Sequence, residues 1–197
     1  AEGLDTGGEP ETVRHEIVAI IRKECARLNK LLTSLLDFAR PRQPEWREVD
    51  LNQLLDSVLE LVSHSTGKGI RFRRRIADSL PRLVSDREQL GQVILNLVIN
   101  ASQAMPDGGE MLLAAQREAR GDQQGVRIDV ADQGGGVAPQ DLDRIFDPFY
   151  TTKDSGTGLG LSVVHQIVSR HGGDVRAEPR AEGGMIFSIF LPEQRPQ

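Results

Sequence analysis

The sequence has a single cysteine, Cys25, in 197 residues, which excludes an internal disulfide and suits a reducing cytosol. Aromatic residues make up only 4%, so the core must be built mainly from Leu, Ile and Val. No apolar run approaches the roughly 20 residues needed to span a bilayer, and no signal peptide is visible. A cytoplasmic location is therefore expected, and any part of the natural protein that senses a signal across a membrane would lie outside this stretch. There is no excess of positive charge: 24 basic residues face 29 acidic ones, a net charge of −5, which argues against nucleic acid and anionic membranes as partners. A Walker-type loop is also missing, because no Gly-Lys-Ser or Gly-Lys-Thr occurs. What is present, 38% hydrophobic and 27% charged residues, is the composition of a soluble globular protein. The length allows one domain of ordinary size plus an extra element.

Residues 1–11 are Gly-rich and acidic and carry no periodicity, so they are expected to be disordered or a cloning remnant. Residues 12–40 contain neither Gly nor Pro, and Ile17, Ile21, Leu28, Leu31, Leu35 and Phe38 recur as a heptad seam, widened by Ile20, Leu32 and Leu36. A helix of ~29 residues would be ~43 Å long. It should pack against another helix, in an oligomer. Pro41 and Pro44 stop it, and residues 41–49 are expected to be a linker to a compact domain over residues 50–192, with 193–197 as a tail.

Within that domain Asp50 reads as the N-cap of a helix to about Ser63, with Leu51, Leu54, Leu55, Val58, Leu59 and Val62 inward. Gly67 and Gly69 break the chain before a strand from Ile70 to Ile76. Its arginines, Arg71, Arg73, Arg74 and Arg75, lack interleaved aromatics beyond Phe72, so a solvated or partner-facing strand is expected rather than a nucleic-acid surface. The long apolar run Gln89 to Met105 reads as a buried helix, with Ser85 and Glu88 as its capping box. Pro106-Asp107-Gly108-Gly109 then turns into a hairpin of strands near Glu110–Arg117 and Val126–Ala131. Residues 132–157 look like a long functional loop with one helical piece at Pro139–Ile145. A helix from Leu159 to His171 ends at Gly172-Gly173, and strands follow at Val175–Ala177 and Met185–Leu191. The count predicts an α/β two-layer sandwich, helices on one face of a mixed sheet.

Four features carry chemistry. Asn96 and Asn100, four apart, put two amides on one face of the buried helix, which asks for a ligand or a polar network. A strand cap and a solvated side chain are the plainer alternative. Asp132-Gln133-Gly134-Gly135-Gly136 places a carboxylate at a strand end, where it can accept from an exocyclic amine, before glycines that let backbone approach a flat ligand. Gly156-Thr157-Gly158-Leu159-Gly160-Leu161 runs into a helix, offering N–H groups to phosphates. Lys153, three residues earlier, is a flexible cation in reach of a terminal phosphate.

Taken together, these residues resemble the sensor histidine kinases of the GHKL ATPase superfamily. Asn96-Leu97-Val98-Ile99-Asn100-Ala101 is similar to the N box and Asp132-Gln133-Gly134-Gly135-Gly136 to the G1 box. Ile145-Phe146-Asp147-Pro148-Phe149 is similar to the F box and Gly156 to Leu161 to the G2 box, all in the family's order. Phe149-Tyr150-Thr151-Thr152-Lys153 and Asn100 to Met105 resemble the nitrogen-regulation type. The resemblance covers roughly residues 12 to 192, since Arg27-Leu28 through Pro41 is similar to the second helix of the dimerisation hairpin.

The resemblance implies the Bergerat fold, ATP and Mg²⁺ as ligands, a response regulator receiver domain and the dimerisation helices of a homodimer as partners, and no nucleic-acid or membrane contact by this stretch. Asn100 would ligate Mg²⁺, and Asp132 would accept the adenine amino group. Gly134 and Gly136 would shape the adenine pocket, and Gly156, Gly158 and Gly160, with Thr157 and Leu159, would hold a lid against the phosphates. Phe146 and Phe149 would anchor that lid. Asn96, Thr151, Thr152 and Lys153 complete the nucleotide site, with Asn96, Asn100 and Lys153 carrying catalysis.

The family's H box is missing. His15-Glu16 imitates it, but Ile17-Val18-Ala19-Ile20 lacks the basic residue and the Pro. His165 and His171 fit core or capping roles. Gln103 stands where many relatives place a Lys, and Ile186, after Gly183-Gly184-Met185, where a Thr is usual. The expectation is a kinase that binds Mg·ATP without phosphorylating itself efficiently. A GHKL ATPase and a non-catalytic ATP-binding or interaction module remain the alternatives.

Overall fold

The computed structural model describes residues 9–39, 42–63, 69–153 and 156–196. The chain divides into two units, residues 1–41 and residues 42–197. The first is one helix, α1 (Glu9–Ala39), which begins three residues before the expected start. Ile17, Ile20, Ile21, Leu28, Leu32, Leu35 and Leu36 on it are 40–62% exposed. The expectations for residues 1–8, for the helix stop at residues 40–41, for the Leu31 and Phe38 side chains and for the break at Gly67 lie outside the described residues. No described helix is long and apolar enough to cross a membrane.

The second unit opens with a short strand, β1 (Arg47–Val49), then α2 (Leu51–Ser63), β2 (Ile70–Ile76), β3 (Leu83–Ser85) and α3 (Arg87–Ala104). The hairpin β4 (Gly109–Arg120) and β5 (Gln123–Ala131), a 3₁₀ turn at Pro139–Asp141, α4 (Gly160–Arg170), β6 (Asp174–Pro179) and β7 (Met185–Pro192) complete it. The main sheet has the order β2-β4-β5-β7-β6, with β2 parallel to β4 and every other pair antiparallel. Met111, Leu113 and Ala115 of β4 and Val126, Ile128 and Val130 of β5 alternate inward and are fully buried, as the period of a strand requires. Helix α3 packs against β5 and α4 against β6 and β7, with α2 and α4 beside α3, and their Leu55, Leu97, Val98 and Val164 are likewise buried. The two-layer architecture and mixed sheet are those expected. The arginines of β2 pair on the surface, Arg73 with Glu110 at 3.2 Å and Arg74 with Asp56 at 3.1 Å.

Two expectations are corrected. Residues 42–49 are no linker: β1 pairs antiparallel with β3, and Glu45 N donates to Asp86 at 2.9 Å. The N-cap of α3 is Asp86, not Ser85. Ser85 is committed to β3, paired with Arg47, and its buried hydroxyl has no partner among the described residues, whereas the extended Asp86 accepts from Glu88 N and Gln89 N at 2.9 and 3.0 Å. Burial alone would raise the Asp86 carboxyl, but the N–H groups of Gln89, Glu45 and Glu88, together with Arg42, hold it below its ordinary value. By contrast Asp50 caps α2 as expected, accepting from Gln53 N at 3.1 Å.

Candidate functional site

The loop after β5 meets the C-terminal end of helix α3, and the chemistry-bearing residues gather there. Asp132 follows the last residue of β5 and is 1% exposed. Its N–H donates to Met185 O of β7 at 2.9 Å, which fixes the residue to the sheet. Its Oδ1 accepts from Gly134 N at 2.8 Å and Met185 N at 3.3 Å. Every hydrogen bond that the described residues make to this carboxylate goes to Oδ1, so the charge is supported from behind by backbone N–H groups. Gly134 must be glycine: a Cβ there would drive into the backbone and Cβ of Ala104, at the end of α3. The loop after β5 and the helix bearing the two asparagines are thereby in contact. Gly136 sits at φ +74, where a side chain is strained, and a Cβ built on it would only reach van der Waals contact with Gly184 O.

Asn96 and Asn100 lie half-buried on one face of α3, as their spacing requires. Among the described residues no hydrogen bond to the Asn96 amide is found. Asn100 is engaged: Lys153 Nζ donates to its Oδ1 at 3.1 Å and to Gln103 Oε1 at 3.0 Å. Burial lowers the Lys153 ammonium from its ordinary value, opposed by the negative charge of Asp132. Lys153, from a loop, thus meets Asn100 of the helix and feels the charge of Asp132 at the strand end.

The segment after the 3₁₀ turn is braced by its backbone. Phe149 adopts φ +67, rare for a residue with a side chain, and its N–H donates to Gly158 O at 2.9 Å. Gly158, at φ +68, is forced to be glycine by the same contact, since a Cβ would overlap the Phe149 backbone. The Phe149 ring, expected to anchor the loop, is 61% exposed; the anchor is its main chain. Phe146 is half-buried with its ring 6.0 Å from His165. Thr151 Oγ1 accepts from Lys153 N at 3.1 Å, Gly156 N donates to Lys153 O at 3.1 Å, and Thr157 Oγ1 accepts from Leu159 N at 3.3 Å at the buried start of α4. Thr152 is exposed, and a Cβ on Gly160 would meet open space.

His171 is structural. Its Nδ1 lies 2.8 Å from Ile167 O and its Nε2 accepts from Asp86 N at 3.4 Å, the tautomer following from that acceptor role. Trp46 lies 4.9 Å from it, and burial pushes the imidazole below its ordinary value. Two residues went unread in the sequence as part of the site. Arg180 Nη1 donates to Asp132 O at 2.6 Å, and Gln133 Oε1 accepts from Glu110 N at 3.0 Å. Both contacts cross between strand ends, and no local pattern announces them.

Among the described residues no cluster of three His, Cys, Asp or Glu could hold a metal. A hard divalent cation takes oxygen ligands and can keep several waters. Asn100 Oδ1 fits that task, since it is already turned toward a positive charge.

Residues 85–195 match the family model described as histidine kinase-, DNA gyrase B-, and HSP90-like ATPase. The sensor histidine kinase ZraS of Escherichia coli strain K12 is 39% identical over 193 residues, which is 98% of this chain and 40% of ZraS. Full-length ShkA in complex with AMPPNP superimposes with a TM-score of 0.78 at 32% identity, over 92% of this chain and 39% of that one. Histidine kinase ThkA in complex with the response regulator protein TrrA gives a TM-score of 0.77 at 29% identity, over 96% of this chain and 54% of the other. The chain therefore spans about two fifths of the curated relative to which it is similar.

Proposed function

The chain belongs to the family of histidine kinase-, DNA gyrase B- and HSP90-like ATPases, and from that premise we propose that it is the ATP-binding catalytic region of a sensor histidine kinase. The observation that carries this reading is the meeting of Lys153 Nζ with Asn100 Oδ1 at 3.1 Å, beside a buried Asp132. One end of the site offers a carboxylate to an exocyclic amine; the other offers an ammonium and an amide oxygen to phosphates and their cation. Asp132 accepts from the adenine amino group, and Arg180 and Met185 N hold it in place. Lys153 and the N–H groups of residues 156–160 orient the terminal phosphate, with Asn100 holding Mg²⁺. When bound, Mg²⁺ supplies neutralisation of the phosphate charge. Phosphoryl transfer needs little covalent help, so positioning and charge neutralisation suffice.

The acceptor is a histidine on a dimerisation helix, with onward relay to the receiver domain of a response regulator; the similarity to ThkA, whose structure holds TrrA, supports that partner. The apolar stripe of α1 supports pairing with other helices in a homodimer. Transfer is favoured over hydrolysis because Asn96 is an amide, unable to take a proton from water. The test is incubation of the chain with ATP labelled at the γ-position. Little acid-labile label on the chain alone is expected, with transfer to a histidine-bearing dimerisation hairpin added separately. Strong self-labelling abolished by His15→Ala would overturn this assignment of the acceptor.

A further inference from the structure

Gln103 lies one helical turn beyond Asn100 on α3, so their side chains share a face. Both amide oxygens accept from a single donor, at 3.1 Å from Asn100 Oδ1 and 3.0 Å from Gln103 Oε1 to Lys153 Nζ. An ammonium is a compact cation, and two neutral oxygens turned on it form a small cation seat. A hard divalent cation asks for the same kind of atom. If Asn100 Oδ1 ligates a divalent cation, two positive charges cannot share that oxygen at such close range in a half-buried site without strong repulsion.

We propose that Lys153 and the divalent cation that accompanies the nucleotide are alternative occupants of Asn100 Oδ1. Gln103 is then the positioning residue that keeps the lysine at the site when Asn100 is given up to the metal. The inference rests on the assignment of Asn100 as the metal ligand. Lys153 has two stations. In one its ammonium is shared by Asn100 and Gln103; in the other it stays on Gln103 and turns its remaining N–H groups to the terminal phosphate. The exchange needs only side-chain rotation, because the main chain of the lysine is pinned on both sides, Lys153 N to Thr151 Oγ1 at 3.1 Å and Gly156 N to Lys153 O at 3.1 Å. Lys153 therefore has opposed effects: it helps hold the phosphates and raises the metal concentration needed to occupy Asn100.

The experiment titrates Mg²⁺ into the full chain saturated with a fluorescent ATP analogue and reads the half-saturating metal concentration, with nucleotide affinity measured in parallel. Lys153→Met should lower that concentration about tenfold or more, the scale of one charge-assisted hydrogen bond relieved. Gln103→Ala should weaken nucleotide affinity at saturating Mg²⁺ several-fold when Lys153 is present and leave it unchanged in the Lys153→Met background, a coupling that a merely structural role would not produce. Asn100→Ala should raise the metal requirement. An unchanged or raised requirement in Lys153→Met, or equal effects of Gln103→Ala in both backgrounds, overturns the proposal alone. An unchanged requirement in Asn100→Ala removes the metal assignment itself, and the proposal with it.

Discussion

Asn96 and Asn100 share a face of α3 but divide in chemistry. Asn100 meets the Lys153 ammonium, whereas the function we propose sets Asn96 where a water-activating site would need a carboxylate. Asn96→Glu should raise ADP release in the absence of any histidine acceptor by about tenfold or more, part of the roughly 10²- to 10⁴-fold that a placed general base contributes. A steady-state hydrolysis assay checks this, and an unchanged rate would leave Asn96 as scaffold. At this scale Asp132, Gly134, Gly158 and the asparagine pair were legible because each is bound to a local constraint: a strand end, a close approach, a turn, a helical repeat. Arg180, Gln133 and the Gln103–Lys153 bond were not, because residues tens of positions apart make them, and only the sheet register and the path of the loop bring these together. The exposed ring of Phe149 was missed for another reason. Its backbone, at a positive φ, does the anchoring that the aromatic side chain was expected to do.

The N-terminus of helix α3 is tied to Arg42 and Glu45, and its C-terminal turns carry Asn100 and Gln103. Asp86→Ala removes the cap, the bond to Glu45 N and the pairing with Arg42, so it should destabilise the unit by about 2 kcal/mol, the upper end for a helix cap. Urea unfolding at neutral pH measures this. The folded carboxyl sits below its ordinary 3.8, so its contribution is fully present above that pH and is lost as pH falls through the depressed value. The gap between the two proteins should close along that acid limb. Elements with long, clean periods were readable almost to the residue, as α2 and β2 show. The strands β1 and β3, three residues each, carry too few positions for a period of two to appear, and their pairing with each other is a tertiary event. The same event explains the cap: pairing of β1 with β3 takes Ser85 and leaves the next residue, Asp86, to start the helix.

On the scale of the molecule, the unit of residues 42–197 holds every residue assigned to the nucleotide, while α1 presents an apolar stripe of its own. The low aromatic content and the absence of disulfides are met by a core of Leu, Ile, Val and Met between one mixed sheet and three helices. The composition bounded the class, and the glycine-bearing boxes were legible because close backbone approach demands glycine, as Gly134 and Gly158 show. The central claim is that a nucleotide binds between Asp132 and the Lys153–Asn100 pair. Its most direct measurement is calorimetric titration of the full chain with Mg·AMPPNP. One site per chain is predicted, weakened at least about tenfold by Asp132→Asn, as loss of a hydrogen bond to a charged acceptor implies, and unaffected by His15→Ala. Absence of saturable binding, or binding by Asp132→Asn as tight as that of the wild type, would contradict it.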